Sequence, residues 1–246
     1  MKFTVLSLFP EILSSFFNAS IMQKAVRRGY VSFQLVNIRD YATDVHKTCD
    51  DLPYGGGAGM LMMPEPLSQA LDAVSASCKH VIYLTPSGRS FTQEDAERLS
   101  KEDEIVLLCG RYEGIDQRII DEYSCEEISV GDYVLSSGEV AALVVIDSVY
   151  RLVDGVISFK SLESESFVDS LLEYPQYTRP SVFRERRVPD VLLSGHHANI
   201  EAWRFRKRLE KTLLVRPDLI EKARNAKSWT SQNESILEEI INERFS

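Results

Sequence analysis

Ile105-Val106-Leu107-Leu108-Cys109, followed at once by Gly110-Arg111-Tyr112-Glu113-Gly114, is the most informative stretch of this sequence. A short apolar run that ends in a glycine-rich turn reads as a strand and the loop at its carboxyl end. The same arrangement recurs at residues 80–85 with Thr85-Pro86-Ser87-Gly88, and at residues 127–130 with Val130-Gly131-Asp132-Tyr133-Val134-Leu135-Ser136-Ser137-Gly138-Glu139. Strand-like runs at 4–8 and 31–38 precede these, and helical patterns separate most of the five. Strands alternating with helices predict an α/β fold with a mostly parallel sheet. Helix punctuation agrees: Pro10 is placed to begin one helix, Gly29 to end the next, and Thr92 with Asp95 forms a capping-box pattern. Residues 139–152 read as a mostly apolar, buried helix.

Beyond residue 152 the apolar periodicity breaks, and 154–189 is rich in Ser, Glu and Pro. Helical patterns return at 197–215, 218–225 and 233–245, which predicts a small all-helical C-terminal domain. The expected division is a main domain over 1–160, a linker over 161–176 and the helical domain over 177–246. A long irregular segment inside a compact protein usually carries function, so the polar residues of the linker become candidates.

Composition narrows the class. Of 246 residues, 44% are hydrophobic and 26% charged, which is ordinary for a globular protein and leaves little room for a long disordered tract. The longest nearly uncharged run, around 140–146, is far shorter than the ~20 apolar residues that cross a bilayer. The N-terminal apolar stretch stops at Pro10 without a small-residue cleavage site. The reading is a cytoplasmic protein with no membrane partner. Cys49, Cys78, Cys109 and Cys125 lie far apart with no C-x-x-C pair, which suits buried structural thiols better than a zinc site. The net charge of −9 is unevenly spread. Residues 91–173 hold 20 acidic and 6 basic side chains, whereas 177–216 hold 10 basic and 4 acidic. Such a basic stripe is either a solvated helix face or a holder of phosphates, since screening over roughly 8–10 Å hides distant carboxylates.

Two groups of residues carry the chemistry. Tyr54-Gly55-Gly56-Gly57-Ala58-Gly59-Met60 permits positive φ and close approach of backbone to a ligand, yet its spacing is neither a dinucleotide fingerprint nor a phosphate loop. The three turns after the strands are the second group. In open α/β sheets ligands bind at the carboxyl ends of strands, so three such turns are placed to enclose one small molecule.

These turns also carry a family resemblance. P-Y-G-G-G-A-G-M, C-G-R-Y-E-G-I-D, V-G-D-Y-V-L-S-S-G-E, S-F-V-D-S-L-L-E-Y-P-Q-Y-T-R-P and L-S-G-H-H occur in the order of the bacterial tRNA (guanine-N1) methyltransferases, which the chain resembles from about Phe3 to beyond Arg216. The resemblance implies a SPOUT-like catalytic domain whose C-terminal half is threaded as a trefoil knot. It implies S-adenosylmethionine as cofactor, held by Tyr83, Leu84, Thr85, Pro86, Ser87, Gly110, Val130, Gly131, Asp132, Tyr133, Val134, Leu135 and Gly138, with Gly110 and Gly131 where a Cβ would collide with it. It further implies methyl transfer to N1 of the guanosine at position 37, immediately 3′ of the tRNA anticodon, by a homodimer whose site lies between subunits. Mg²⁺ is expected as a requirement, with no residues assigned to hold it.

By the same resemblance Asp169 is the general base for the N1 proton and Arg151 faces O6 of the target base. An unperturbed aspartate, with a pKa of about 3.9, needs such a cation to stabilise the anion it generates. Glu113, Tyr112, Asp51 and His196 are expected to contact the substrate. The run Trp203-Arg204-Phe205-Arg206-Lys207-Arg208 reads as backbone contacts to RNA, with both aromatics facing the core. Ser137 and Ala141 stand where the family commonly has glycine and proline, and residues 160–166 match it poorly.

Overall fold

The computed structural model describes residues 1–158, 165–167, 169–226 and 228–245, and of Arg244 and Phe245 the backbone only. The chain forms two compact units, Met1–Ile157 and Ser158–Ser246.

The first unit is built on a five-stranded sheet in the order β2-β1-β6-β5-β7: β1 is Lys2–Ser7, β2 Ser32–Asn37, β5 His80–Ser90, β6 Glu104–Cys109 and β7 Glu126–Ser129. Every neighbouring pair is parallel. Parallel sheets are covered on both faces, and β6 shows why its apolar run is continuous. Ile105, Leu107 and Cys109 enter a core with Phe3, Val5, Leu13, Phe17 and Val145, while Val106 and Leu108 enter a second with Leu67, Leu71, Ile119 and Tyr83. Helices α1 (Glu11–Phe17), α2 (Ser20–Arg27), α4 (Gln93–Leu99) and α6 (Gly138–Tyr150) supply the first core, α3 (Pro64–Ala73) and α5 (Gln117–Glu122) the second.

Local chemistry sets the boundaries. Pro10 is the N-cap of α1, and Gly29, at φ +76°, follows the C-cap of α2. Thr92 and Asp95 form the reciprocal capping box of α4. Asp95 does more, because its carboxylate also receives the Arg89 fork at 2.8 and 2.6 Å, and Arg89 and Arg98 both reach Glu126 at the start of β7. His80 lies between Glu102 and Glu126, 2.9 Å from one and 2.7 Å from the other.

Two short strands, β3 (Asp50–Asp51) and β4 (Leu61–Met62), pair antiparallel and carry the glycine-rich segment between them. The sequence shows no strand leading into that segment, since a two-residue ladder is too short to leave an alternating pattern.

The second unit has its own small core of Leu171, Leu209, Ile220, Ala223, Leu237 and Ile240, with Phe205 and Trp229 packed against it. Helices α7 (Asp190–Leu193), α8 (His197–Val215), α9 (Pro217–Arg224) and α10 (Ser231–Phe245) follow a two-residue hairpin of β8 (Val182–Phe183) and β9 (Arg186–Arg187). Within the segment expected as a linker, residues 161–164 and 168 lie outside the described residues. Its later part packs on α8: Leu171 is a core residue, and Leu172 N–H donates to Thr212 Oγ1 at 2.9 Å.

Candidate functional site

A cleft of about 360 Å³ opens at the carboxyl ends of β5, β6 and β7. Its size falls within the range of small-molecule sites. The ladder between β5 and β7 explains its floor: Ile128 pairs with Leu84 and again with Arg89, so Thr85, Pro86, Ser87 and Gly88 are looped out of the sheet. Gly88 returns the chain so tightly that a Cβ there would lie 2.5 Å from Ile128 N.

The cleft brings together Tyr83, Leu84, Thr85, Pro86, Ser87, Gly110, Val130, Gly131, Tyr133, Val134, Leu135 and Gly138, all expected as cofactor-binding, and Tyr112 and Glu113, expected at the substrate. Asp132 is in the same turn, exposed, and is not among the lining residues. Asp51 is exposed on β3 and accepts from Leu52 N–H at 2.7 Å. The glycine-rich segment nonetheless reaches Glu113: Gly59, at φ +89°, lies against it so closely that a Cβ would be 2.5 Å from its Oε1. Arg151 is the half-buried C-cap of α6. Asp169 and His196 belong to the second unit, where His196 is the exposed N-cap of α8.

The glycines of the cleft are required by the protein itself. A Cβ at Gly110 would lie 2.9 Å from the Tyr83 ring, and one at Gly131, whose φ is +152°, 2.5 Å from the Tyr133 ring. Gly138 N–H donates to Gly110 carbonyl at 2.9 Å and zips two of the turns together. Tyr83 is buried, which raises its phenol above the ordinary value and keeps it a neutral hydroxyl at physiological pH.

Behind the cleft Glu139 is fully buried, with Oε1 accepting from Ser7 Oγ at 2.5 Å and Oε2 without a partner among the described residues. Sequence reasoning missed both residues, because the link joins positions 132 apart in sequence.

In the second unit Asp169 is engaged. Both its oxygens accept from the Arg208 guanidinium, one at 2.8 Å, and it also accepts from Leu171 N–H at 3.3 Å. Three other cations of α8 are similarly occupied, Arg204 with Glu201, Arg206 with Glu210, Glu239 and Glu243, and Lys207 with Glu210, whereas Lys211 is exposed. Phe205 packs on the core as expected, whereas Trp203 is half-buried beside the exposed Tyr177 and is not among the residues packed on that core. By contrast Arg184, Arg186 and Arg187 of the hairpin have no carboxylate partner among the described residues and are exposed.

Comparison with known proteins fits this architecture. Residues 1–222 match the family described as tRNA (Guanine-1)-methyltransferase TrmD. The chain belongs to this family. Among tRNA (guanine-N(1)-)-methyltransferases it is similar to that of Treponema denticola, 66% identical over 243 residues, which is 99% of this chain and 100% of that one. The protein of that name from Treponema pallidum is 58% identical over 240 residues, 98% and 96% of the two chains. That of Borreliella burgdorferi is 63% identical over 221 residues, 89% and 92%. In this tRNA (guanine-1)-methyltransferase, among the described residues, no group of three or more His, Cys, Asp or Glu side chains is placed to hold a metal ion. No helix among them is long and apolar enough to cross a membrane.

Proposed function

We propose that this chain transfers a methyl group from S-adenosylmethionine to N1 of the guanosine at position 37 of tRNA, immediately 3′ of the anticodon, in the cytoplasm. The observation that carries the reading is the convergence, in a member of this family, of three strand-end turns on one cleft. The residues present fit the cofactor. Leu84, Ile128, Val130, Leu135 and Ala141 offer an apolar slot, Thr85, Ser87 and Ser129 line it with hydroxyls, and the glycine backbones leave N–H and C=O edges open to a ligand. When bound, the cofactor supplies an electrophilic methyl on a sulfonium. Tyr112 and Tyr133 are aromatic residues of the cleft lining, of a kind able to face a cationic centre.

Arg151 would face the guanine O6 and hold the negative charge that develops as the N1 proton leaves. Glu113, exposed at the cleft, is suited to accept from the N–H edge of the neighbouring guanine, and Tyr112, Asp51 and His196 are assigned further substrate contacts. Asp169 is assigned the proton. In the described structure that carboxylate is paired with Arg208, which engages both its oxygens and leaves each with further acceptor capacity. Mg²⁺ remains an expected requirement with no residues assigned to hold it, and no step is assigned to it.

A homodimer completes the proposal, with one protomer's segment facing its partner's cleft. Val134, 84% exposed, and Val140 and Val144 on α6 are apolar side chains in search of cover. The trefoil knot enters the proposal through family membership. Phosphate contacts from the second unit fall first to Arg184, Arg186 and Arg187, since Arg204, Arg206, Lys207 and Arg208 of α8 are already paired.

The test is transfer of labelled methyl to a tRNA with guanosine 3′ of the anticodon and to a copy with adenosine there. Label on the first alone supports donor, base and position together, and equal label on both sinks the reading. Asp169→Asn then tests the carboxylate: a base there predicts a lowered chemical step at saturating substrates, and an unchanged step removes Asp169 from that role.

A further inference from the structure

The cleft occupies the carboxyl ends of three strands, but the same edge of the sheet continues past β6 to β1 and β2, and it carries something there that the methyl-transfer machinery does not use. Phe9 follows β1, Arg39 follows β2 and Arg111 follows β6. The Arg111 guanidinium carbon lies 4.9 Å from the centroid of the Phe9 ring, and that of Arg39 lies 5.6 Å from the same centroid. Among the described residues neither arginine has a carboxylate partner. Asp40 is paired with Lys47 at 3.0 Å, Glu139 is buried beneath the edge with one oxygen on Ser7, and Glu113, two residues from Arg111, lines the cleft without an ion pair to either arginine.

Each member of the group is held in place by its own turn. Ser7 Oγ accepts from Phe9 N–H at 2.8 Å while donating to the buried Glu139. Asn37 Oδ1 accepts from Arg39 N–H at 3.0 Å, which caps the 3-10 turn of Ile38–Tyr41. Gly114 N–H donates to Arg111 carbonyl at 3.0 Å and closes the turn after β6. Two half-buried guanidiniums on one ring repel each other, and with no protein anion between them the arrangement gains from an oxyanion supplied from outside. Arg111 also lines the cleft, so an anion held by this pair would lie at its mouth.

We propose that Arg39, Phe9 and Arg111 form a clamp for a phosphodiester of the RNA substrate at the mouth of the cleft. The proposal rests on the tRNA reading above. The shared chemistry is oxyanion binding, and the carboxylate tail of the cofactor is the competing source.

The test uses the full-length enzyme and unmodified tRNA, with binding measured across a salt series and cofactor binding measured separately. Arg39→Gln is expected to weaken tRNA binding several-fold, to lower the slope of log K against log salt by roughly 0.7 to 0.9, and to leave cofactor affinity unchanged. Arg39→Lys keeps most of the slope. Arg111→Gln lowers it by a similar step, and the double variant by about both. Phe9→Leu preserves charge and approximate volume, so it reports on the ring even where a charge variant folds poorly, and weakened tRNA binding is expected. Unchanged tRNA affinity and slope in all four overturn the clamp. A loss of cofactor affinity in Arg39→Gln with tRNA affinity intact assigns the anion to the cofactor and also overturns it. Wild-type enzyme that methylates tRNA while the clamp variants bind it normally leaves the function standing without the clamp. Wild-type enzyme that ignores tRNA sinks both.

Discussion

Replacing Gly138 by alanine tests whether the cleft is held open by backbone packing. The added Cβ would lie 2.8 Å from Cys109 Cα, 2.8 Å from Gly110 N and 3.1 Å from Cys109 C. Comfortable carbon contacts need about 3.5–4.0 Å, so β6 or α6 must move by several tenths of an ångström to 1 Å. No side-chain rotation relieves the clash, because all three atoms are backbone. Overpacking of this kind costs about 1–3 kcal/mol. Against it stands the helix preference of alanine over glycine, at most about 1 kcal/mol and less at the first residue of α6. The net expectation is a loss of about 1–2 kcal/mol, which for a chain of this size lowers the melting temperature by about 2–8 °C. The same movement stretches the Gly138 N–H to Gly110 carbonyl bond, so cofactor affinity falls with stability. Thermal unfolding and calorimetric titration with S-adenosylmethionine read the two quantities on one preparation. A variant that melts at or above the wild-type temperature and binds the cofactor as tightly would refute the packing argument.

Three further outcomes follow from the same geometry. Arg89 holds the Asp95 carboxyl well below the usual carboxylate range, with the Thr92 hydrogen bonds adding to it. Because the folded value is depressed, the stability it contributes is complete above the unfolded pKa of about 3.9 and is lost as pH falls through the folded value. Asp95→Asn should therefore cost about 1.5–3 kcal/mol at pH 7 and progressively less below about pH 4, and a gap between variant and wild type that stays constant down to pH 2 denies the linkage. Ser7→Ala removes the described hydrogen bond of buried Glu139 and should cost about 1–3 kcal/mol in chemical denaturation, with a neutral result showing that the carboxylate has found another donor. Burial raises the thiols of Cys49 and Cys109 and pushes that of Cys125 up to about 11, while Cys78 is exposed, so a thiol reagent at pH 7.5 should label one cysteine quickly in the folded protein and four after denaturation. Fast labelling of Cys109 would mean that the cleft opens.

What the sequence determined by itself was local. Apolar runs placed the sheet strands to within a residue or two at most of their ends; only the carboxyl end of β5 extends further, because its run of 80–85 continues through the looped-out residues and rejoins β7 at Arg89 and Ser90. The capping box at Thr92, the stop at Gly29 and the start of α8 were equally legible, because backbone hydrogen bonding near a helix end depends on residues a few positions apart. The strand-end turns pointed to the cleft residues for the same reason: glycine spacing is a property of a short segment. The tertiary structure decided everything that joins distant positions. It pairs Ser7 with Glu139, seats two arginines from different strand ends on Phe9, turns four of the cations of α8 toward carboxylates and leaves those of the hairpin exposed. It also gives Asp169 to Arg208, 39 residues away, in a segment whose sequence marks it only as polar. Composition and periodicity carry no record of such pairings, since which charge meets which is settled by the packing of elements around a core and not by the order of residues along the chain.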